Sequence, residues 1–248
     1  MRFTKVHLMV VAVFVVGLVV GMSFAQVITA PHEQQTLEQR YAEAIERAMT
    51  GGQGTTYGGL NPITDSNSRL VWNETGPCKG VLVLTWTKYP GSFHPGQETN
   101  CSWGETWVTV IPDMREFFAG SVPRGTDLTL RAEQLLGGPA GWNYTYFVEA
   151  YVRPCDLFRP AGDNEIDDTT ASLTLPSGAE DWYRAWFEGN IIYSYYPERY
   201  PWTRLGYTYD WGSSSHIGLS EYVIKQGAVI SVVSVTPTAE YLSGFYSA

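Results

Sequence analysis

The stretch from Pro201 to Glu221 (PWTRLGYTYDWGSSSHIGLSE) brings several chemically able side chains together. Arg204, Asp210, His216 and Glu221 supply a fixed cation, two carboxylates and an imidazole. Such groups can move a proton and hold a polar substrate, so these four are the candidate catalytic residues of a hydrolase-like enzyme. Trp202, Tyr207, Tyr209 and Trp211 flank them. In a strand, Tyr207, Tyr209 and Trp211 would share one face, with Thr208 and Asp210 on the other. An exposed aromatic row stacks on sugar rings or on a partner surface, whereas a buried one is core. These four aromatics are the candidate ligand-binding residues.

A second concentration is acidic: Asp163-Asn164-Glu165-Ile166-Asp167-Asp168-Thr169. Asp163, Glu165 and Asp167 alternate, and hard cations want several oxygens from one loop, so calcium is the one candidate cofactor. The EF-hand pattern fails, because Asp168 stands where glycine is required and Thr174 where the closing glutamate belongs. The competing reading is a solvated acidic loop. Beyond the N-terminal segment, histidines occur only at 32, 94 and 216, too scattered for a multi-histidine metal site. Gly218-Leu219-Ser220-Glu221-Tyr222 starts like a nucleophile elbow but lacks its second glycine, and no HExxH, P-loop or GxGxxG motif occurs. Glu105, Glu149, Asp210 and Glu221 could pair as in a glycosidase, where carboxylate separation decides the chemistry.

The bulk chemistry narrows the partners. The chain has 248 residues, a formal net charge of −9, 44% hydrophobic and 14% aromatic residues. It is too apolar for a disordered chain, and its negative field, with no basic stripe, argues against nucleic acid. A glycan or protein ligand suits the aromatic excess. Residues 1–25 read as a secretory signal peptide: Arg2 and Lys5, an apolar run from Leu8 to Met22, then small residues at Ser23 and Ala25. Left uncleaved, residues 8–25 would be the one membrane contact, as a signal anchor. Either way the rest of the chain is expected outside the cytoplasm, secreted or tethered to the outer face. There one disulfide is expected among Cys78, Cys101 and Cys155, and three pairings are open. Asn73, Asn100 and Asn143 head N-x-S/T sequons.

The elements that would position these residues follow from periodicity. Residues 26–50 form a helical arm, with Leu37, Tyr41, Ala44, Ile45 and Ala48 on one stripe and Gly51-Gly52 as the stop. Residues 51–64 are Gly-rich and read as a linker. Residues 65–248 read as a single β-rich domain. Its expected strands are Val81–Thr87, Thr106–Ile111, Leu128–Ala132, Tyr144–Val152, the alternation at Ala171, Leu173 and Leu175, and Val229–Val235, the last apolar on both faces and so central. A capping box, Ser177 to Glu180, predicts a helix carrying Trp182, Ala185 and Trp186 and ending at Gly189-Asn190. A shorter helix fits Pro112–Ala119. The fold class is therefore mainly β: an antiparallel β-sandwich or barrel-like body with one or two short helices, preceded by an N-terminal helix. Two functions suit it: a secreted or surface-tethered binding domain using aromatics, or a secreted hydrolase-like enzyme.

Overall fold

The computed structural model describes residues 35–51, 55–73, 79–196 and 199–246. The N-terminal segment 1–25 and Cys78 lie outside them. In order, the elements are helix α1 (Leu37–Met49), strands β1 (Thr56–Tyr57), β2 (Trp72–Asn73), β3 (Gly80–Thr87), β4 (Glu98–Asn100) and β5 (Thr106–Val110), helices α2 (Ile111–Ser121) and α3 (Leu128–Leu135), strands β6 (Tyr146–Val152), β7 (Leu157–Phe158) and β8 (Ala171–Ser172), helix α4 (Asp181–Tyr195), strands β9 (Tyr207–Tyr209), β10 (Ile217–Ser220), β11 (Tyr222–Ile224) and β12 (Val229–Pro237), and helix α5 (Thr238–Ser243). The protein is mainly β and its strand pairings are antiparallel, with α1 ahead of the body.

The main sheet runs β4-β12-β6-β3-β5-β11-β7, with β2 added to β3. Val83 lies opposite Val110 on one side and Ala150 on the other. Chain connectivity makes this sheet curl. β11 and β12 are four strand steps apart in the sheet order, which is ~19 Å if the sheet were flat. Yet they are joined by a tight turn in which the Ala228 N–H donates to the Lys225 carbonyl (3.1 Å), a span under about 7 Å. The two ends of the sheet must therefore approach each other. Cys101, just past β4, holds them, donating to the Ala228 carbonyl (2.8 Å) and accepting from Gly227 (3.0 Å).

Alternation along the strands then sorts side chains onto two faces. Val81, Val83, Val108, Val110, Val148 and Ile230 fill the inside of the curl. On the outside, Leu82, Leu84, Trp86 and Phe147 meet Met114 and Phe118 of α2, Leu135 of α3 and Leu242 of α5. A second outer patch sets Phe158 and Val223 against Ala44 and Ile45 of α1 and Tyr183 and Phe187 of α4. Helices covering the convex face explain why β3 is apolar on both sides. β12 differs from expectation: Ile230 and Val232 are buried, but Val229 and Val233 are exposed.

Helices supply the other differences. Leu128–Ala132 is the start of α3, not a strand. The Asp127 carboxylate accepts the Leu130 N–H (3.1 Å) and caps a run of good helix formers; five residues of alternation cannot outweigh that cap. The capping box before α4 does not form. The helix begins at Asp181, and Glu180 accepts the Trp182 indole N–H (2.6 Å) instead. Nor does Gly189 stop it. The helix runs on to Tyr195, because burial of Phe187, Ser194 and Tyr195 outweighs a glycine penalty of about 1 kcal/mol. In the Gly-rich segment, Leu60 and Ile63 are buried and their N–H groups donate to Thr169 and Ile166. Among the described residues no helix is long and apolar enough to cross a membrane.

Candidate functional site

A cavity of about 950 Å³ opens on the convex face of the sheet, where the two helix-covered patches meet. Its floor is made by Leu84 and Trp86 of β3, Trp107 and Thr109 of β5, and Glu221 between β10 and β11. Trp142 and Tyr144 form one wall; Trp186, Asn190 and Trp202 form the other. Tyr207 and Tyr209 also line it, and exposed Tyr89, Trp103 and Tyr193 stand at the rim.

The walls are held by bonds to the scaffold. The Trp86 indole donates to Thr238 Oγ1 (2.8 Å), and its ring stacks on Phe147 at 5.1 Å. The buried Glu133 carboxylate accepts the N–H groups of Gly141 (3.0 Å) and Trp142 (2.8 Å). That fixes the loop that lays Trp142 on Tyr144, ring centroids 4.0 Å apart. The Trp202 indole donates to the Pro160 carbonyl (3.1 Å), and the Tyr195 hydroxyl donates to the Trp202 carbonyl (2.6 Å). Rings fixed in advance lose little freedom when a ligand arrives.

Glu221 is the chemically unusual member. Tyr222 points into the interior of the curl, so alternation turns Glu221 outward to the cavity. Its backbone is pinned: its N–H donates to the Gly206 carbonyl (2.9 Å), the Ser220 carbonyl accepts the Thr109 hydroxyl (2.8 Å), and Ser220 Oγ accepts the Asn61 N–H (2.9 Å). Gly206 has φ of 72°, and a Cβ there would sit 2.7 Å from Cδ of the fully buried Arg159, so only glycine fits. Among the described residues no hydrogen-bond donor or cation meets the Glu221 carboxyl. Part of its surface stays bare on the cavity side, while protein encloses the rest. Burial pushes its pKa up to about 8. A second polar group shares the wall: the buried Nδ2 of Asn190 has no hydrogen-bond partner. Among the described residues no Lys, Arg or His lines the cavity.

The four candidate catalytic residues are not gathered. Only Glu221 reaches the cavity. Asp210 is 1% exposed and accepts both arms of Arg131, at 3.0 and 2.6 Å. Arg204 meets neither carboxylate. At φ of 58° it turns its guanidinium to the C-terminus of α1, donating to the carbonyls of Ala48 (3.0 Å) and Met49 (3.2 Å) over the Tyr195 ring. His216 stacks on Tyr209 at 5.0 Å with Nε2 3.1 Å from Arg47 Nη1, beside α1. The expected aromatic row splits as well. Trp202, Tyr207 and Tyr209 line the cavity, whereas Trp211 lies beyond β9 in the core and donates to the Gly138 carbonyl (2.9 Å).

The acidic run serves the fold. Arg159 Nη1 donates to Asp168 (2.5 Å) and to the Thr170 carbonyl (2.8 Å), and Nη2 to the Asp168 carbonyl (2.7 Å). Glu165 and Asp167 face solvent, and Asp163 is half-buried with its pKa raised by burial and then by the Asp168 charge. Among the described residues no three acidic, histidine or cysteine side chains are grouped to hold a metal, Asp163, Glu165 and Asp167 included. Cys101 and Cys155 are free thiols: Cys101 is inside the curl, where burial raises its pKa to about 11, and Cys155 is exposed. Those two do not form the expected disulfide.

Sequence reasoning missed Trp86, Trp107, Trp142 and Asn190, which come from three separate elements and a loop. Trp186 carried a signal, the tryptophan pair on α4. Comparison with protein-family models, curated proteins and solved structures finds no match for the chain.

Proposed function

We propose that this chain is a binding domain, secreted or tethered to the outer face of a membrane, that takes a small ring-bearing ligand or the end of a glycan into its aromatic cavity. The cavity carries this reading. About 950 Å³ is the upper end of the range for small-ligand sites. Its fixed Trp and Tyr rings offer stacking faces, and two of its polar groups, the Glu221 carboxyl and Asn190 Nδ2, have no partner among the described residues, so a ligand would complete them. A concave site favours a small molecule or glycan end over a flat protein partner. The location rests on the charged, apolar and small-residue pattern of residues 1–25.

Titrating the protein with soluble oligosaccharides and small aromatic compounds, read by tryptophan fluorescence and calorimetry, tests it. Saturable binding that Trp186→Ala weakens at least tenfold is expected. A panel in which no ring compound binds would sink the reading.

One observation favours a hydrolase. A carboxyl with its pKa at about 8 is protonated at neutral pH and can act as a general acid. In that case Glu221→Gln keeps binding but loses turnover of chromogenic glycosides. In a pure binding domain neither the parent nor the variant turns them over.

A further inference from the structure

We propose that the ligand of the aromatic cavity is an organic cation, an amine or quaternary ammonium on a ring-bearing scaffold, held by Glu221 against the tryptophan faces. This rests on the binding reading above and names its ligand class.

The charges that face the cavity are of one sign. Glu221 lies on its floor and Glu105 at its rim. The other titratable groups on its walls are tyrosines, and burial raises the pKa of Tyr207 and Tyr209, which keeps them neutral. Nearby cations are engaged elsewhere or stand outside: Arg131 pairs with Asp210, Arg159 with Asp168, Arg204 with the end of α1 and Arg47, beside Tyr209, with Glu43, while Lys88 lies over the Tyr89 ring at the rim. Among the described residues, an anion would find no positive partner on the floor or walls of the cavity. A cation would find an unpaired carboxyl and the electron-rich faces of Trp86, Trp107, Trp142 and Trp186. Aromatic cages with one acidic group bind ammonium ligands through that combination, and the attraction grows when water is excluded. Asn190 adds a detail. Its unpartnered Nδ2 is a donor, so an ether, hydroxyl or carbonyl oxygen on the scaffold would complete it.

The carboxyl that binds a cation must be ionised, and burial holds its pKa near 8. Cation binding therefore releases a proton at neutral pH. Affinity for a permanently charged ligand should rise about tenfold per pH unit towards pH 8 and level off above it. Affinity for a neutral ligand should show no such rise.

The test compares phenyltrimethylammonium with tert-butylbenzene, its neutral isostere, by calorimetry between pH 6 and 9. We expect the cation to bind at least tenfold tighter at pH 8.5, and the preference to shrink as pH falls. Glu221→Gln should abolish the preference, and its melting curve at pH 6 checks that it folds. Equal binding of the two probes, or a preference that survives Glu221→Gln, would overturn the cation proposal and leave ring binding intact. If neither probe binds, the cation proposal falls, while the binding reading stands or falls with the oligosaccharide and aromatic panel above.

Discussion

Asp210 and Glu221 come from one short segment and both sit deep in protein, but their surroundings are opposite. Asp210 accepts two guanidinium bonds from Arg131 and the Gly212 N–H (3.0 Å). Glu221 has its backbone anchored on both sides while its carboxyl meets no partner among the described residues. A buried charge is tolerated when paired and is otherwise expensive, by several kcal/mol. The fold thus uses its cations to satisfy Asp210 and Asp168 and leaves the cavity carboxyl unsatisfied. Unpaired polar groups at a cavity mark the place where something else is meant to complete them.

Breaking the satisfied pair should have the largest effect. Arg131→Ala strands the Asp210 carboxylate, and denaturant unfolding should show a loss of about 3–5 kcal/mol. Replacing both partners by apolar residues, Arg131→Met with Asp210→Leu, should recover much of it. Full stability in Arg131→Ala alone would erase the contrast.

The unsatisfied carboxyl is tested by pH. The folded pKa of Glu221 is about 8, against an ordinary value of 4.5. Between those values the folded state binds more protons than the unfolded one, so stability is fully present below about pH 4.5 and falls as pH rises towards 8. At about 1.4 kcal/mol per unit, and allowing for water in the cavity, the loss should be roughly 3 kcal/mol. Glu221→Gln should remove that slope, giving a variant more stable than the parent at pH 8.5 and equal to it at pH 4.

The anchor of Glu221 comes next. Gly206→Ala adds a Cβ against the buried Arg159 at a positive φ. It should cost about 2 kcal/mol and weaken cavity binding by displacing Glu221. A smaller loss follows at the end of α1. Arg204→Ala removes two bonds to helix carbonyls and should cost about 1 kcal/mol with ligand affinity unchanged. A loss of binding without a loss of stability would return Arg204 to the site. The smallest effect is at the acidic run. Millimolar calcium or chelator should leave the melting temperature unchanged, because Asp168 is engaged by Arg159 and Glu165 and Asp167 point to solvent. A calcium-dependent rise would restore a metal loop there.

Much of the architecture was legible locally. Strand periodicity over Val81–Thr87, Thr106–Ile111 and Tyr144–Val152 marked the heart of the sheet, and the stripe of Leu37, Tyr41, Ala44, Ile45 and Ala48 in the 26–50 arm marked α1. Glu221 and three cavity aromatics, Trp202, Tyr207 and Tyr209, stood among the sequence candidates. These readings succeed because alternation, helical spacing and residue type are properties of adjacent residues. They fail at α3, where five alternating residues fit either period until the Asp127 cap decides, and at Gly189, where packing overrides a stop signal.

What the sequence by itself determined is the kind of material: an acidic, aromatic-rich, mainly β chain with a short list of ionisable candidates. What only the tertiary structure decided is which of those candidates are satisfied. Arg131 lies 79 residues from Asp210, and Ala48 lies 156 from Arg204. No local pattern predicts such partnerships, since they depend on how the curled sheet brings α1, α3 and the 201–221 segment together. The cavity is likewise assembled from β3, β5, α4 and loops distant in sequence. Burial, charge pairing and cavity shape are set by long-range packing, and that packing singles out Glu221 from the four ionisable residues of its segment.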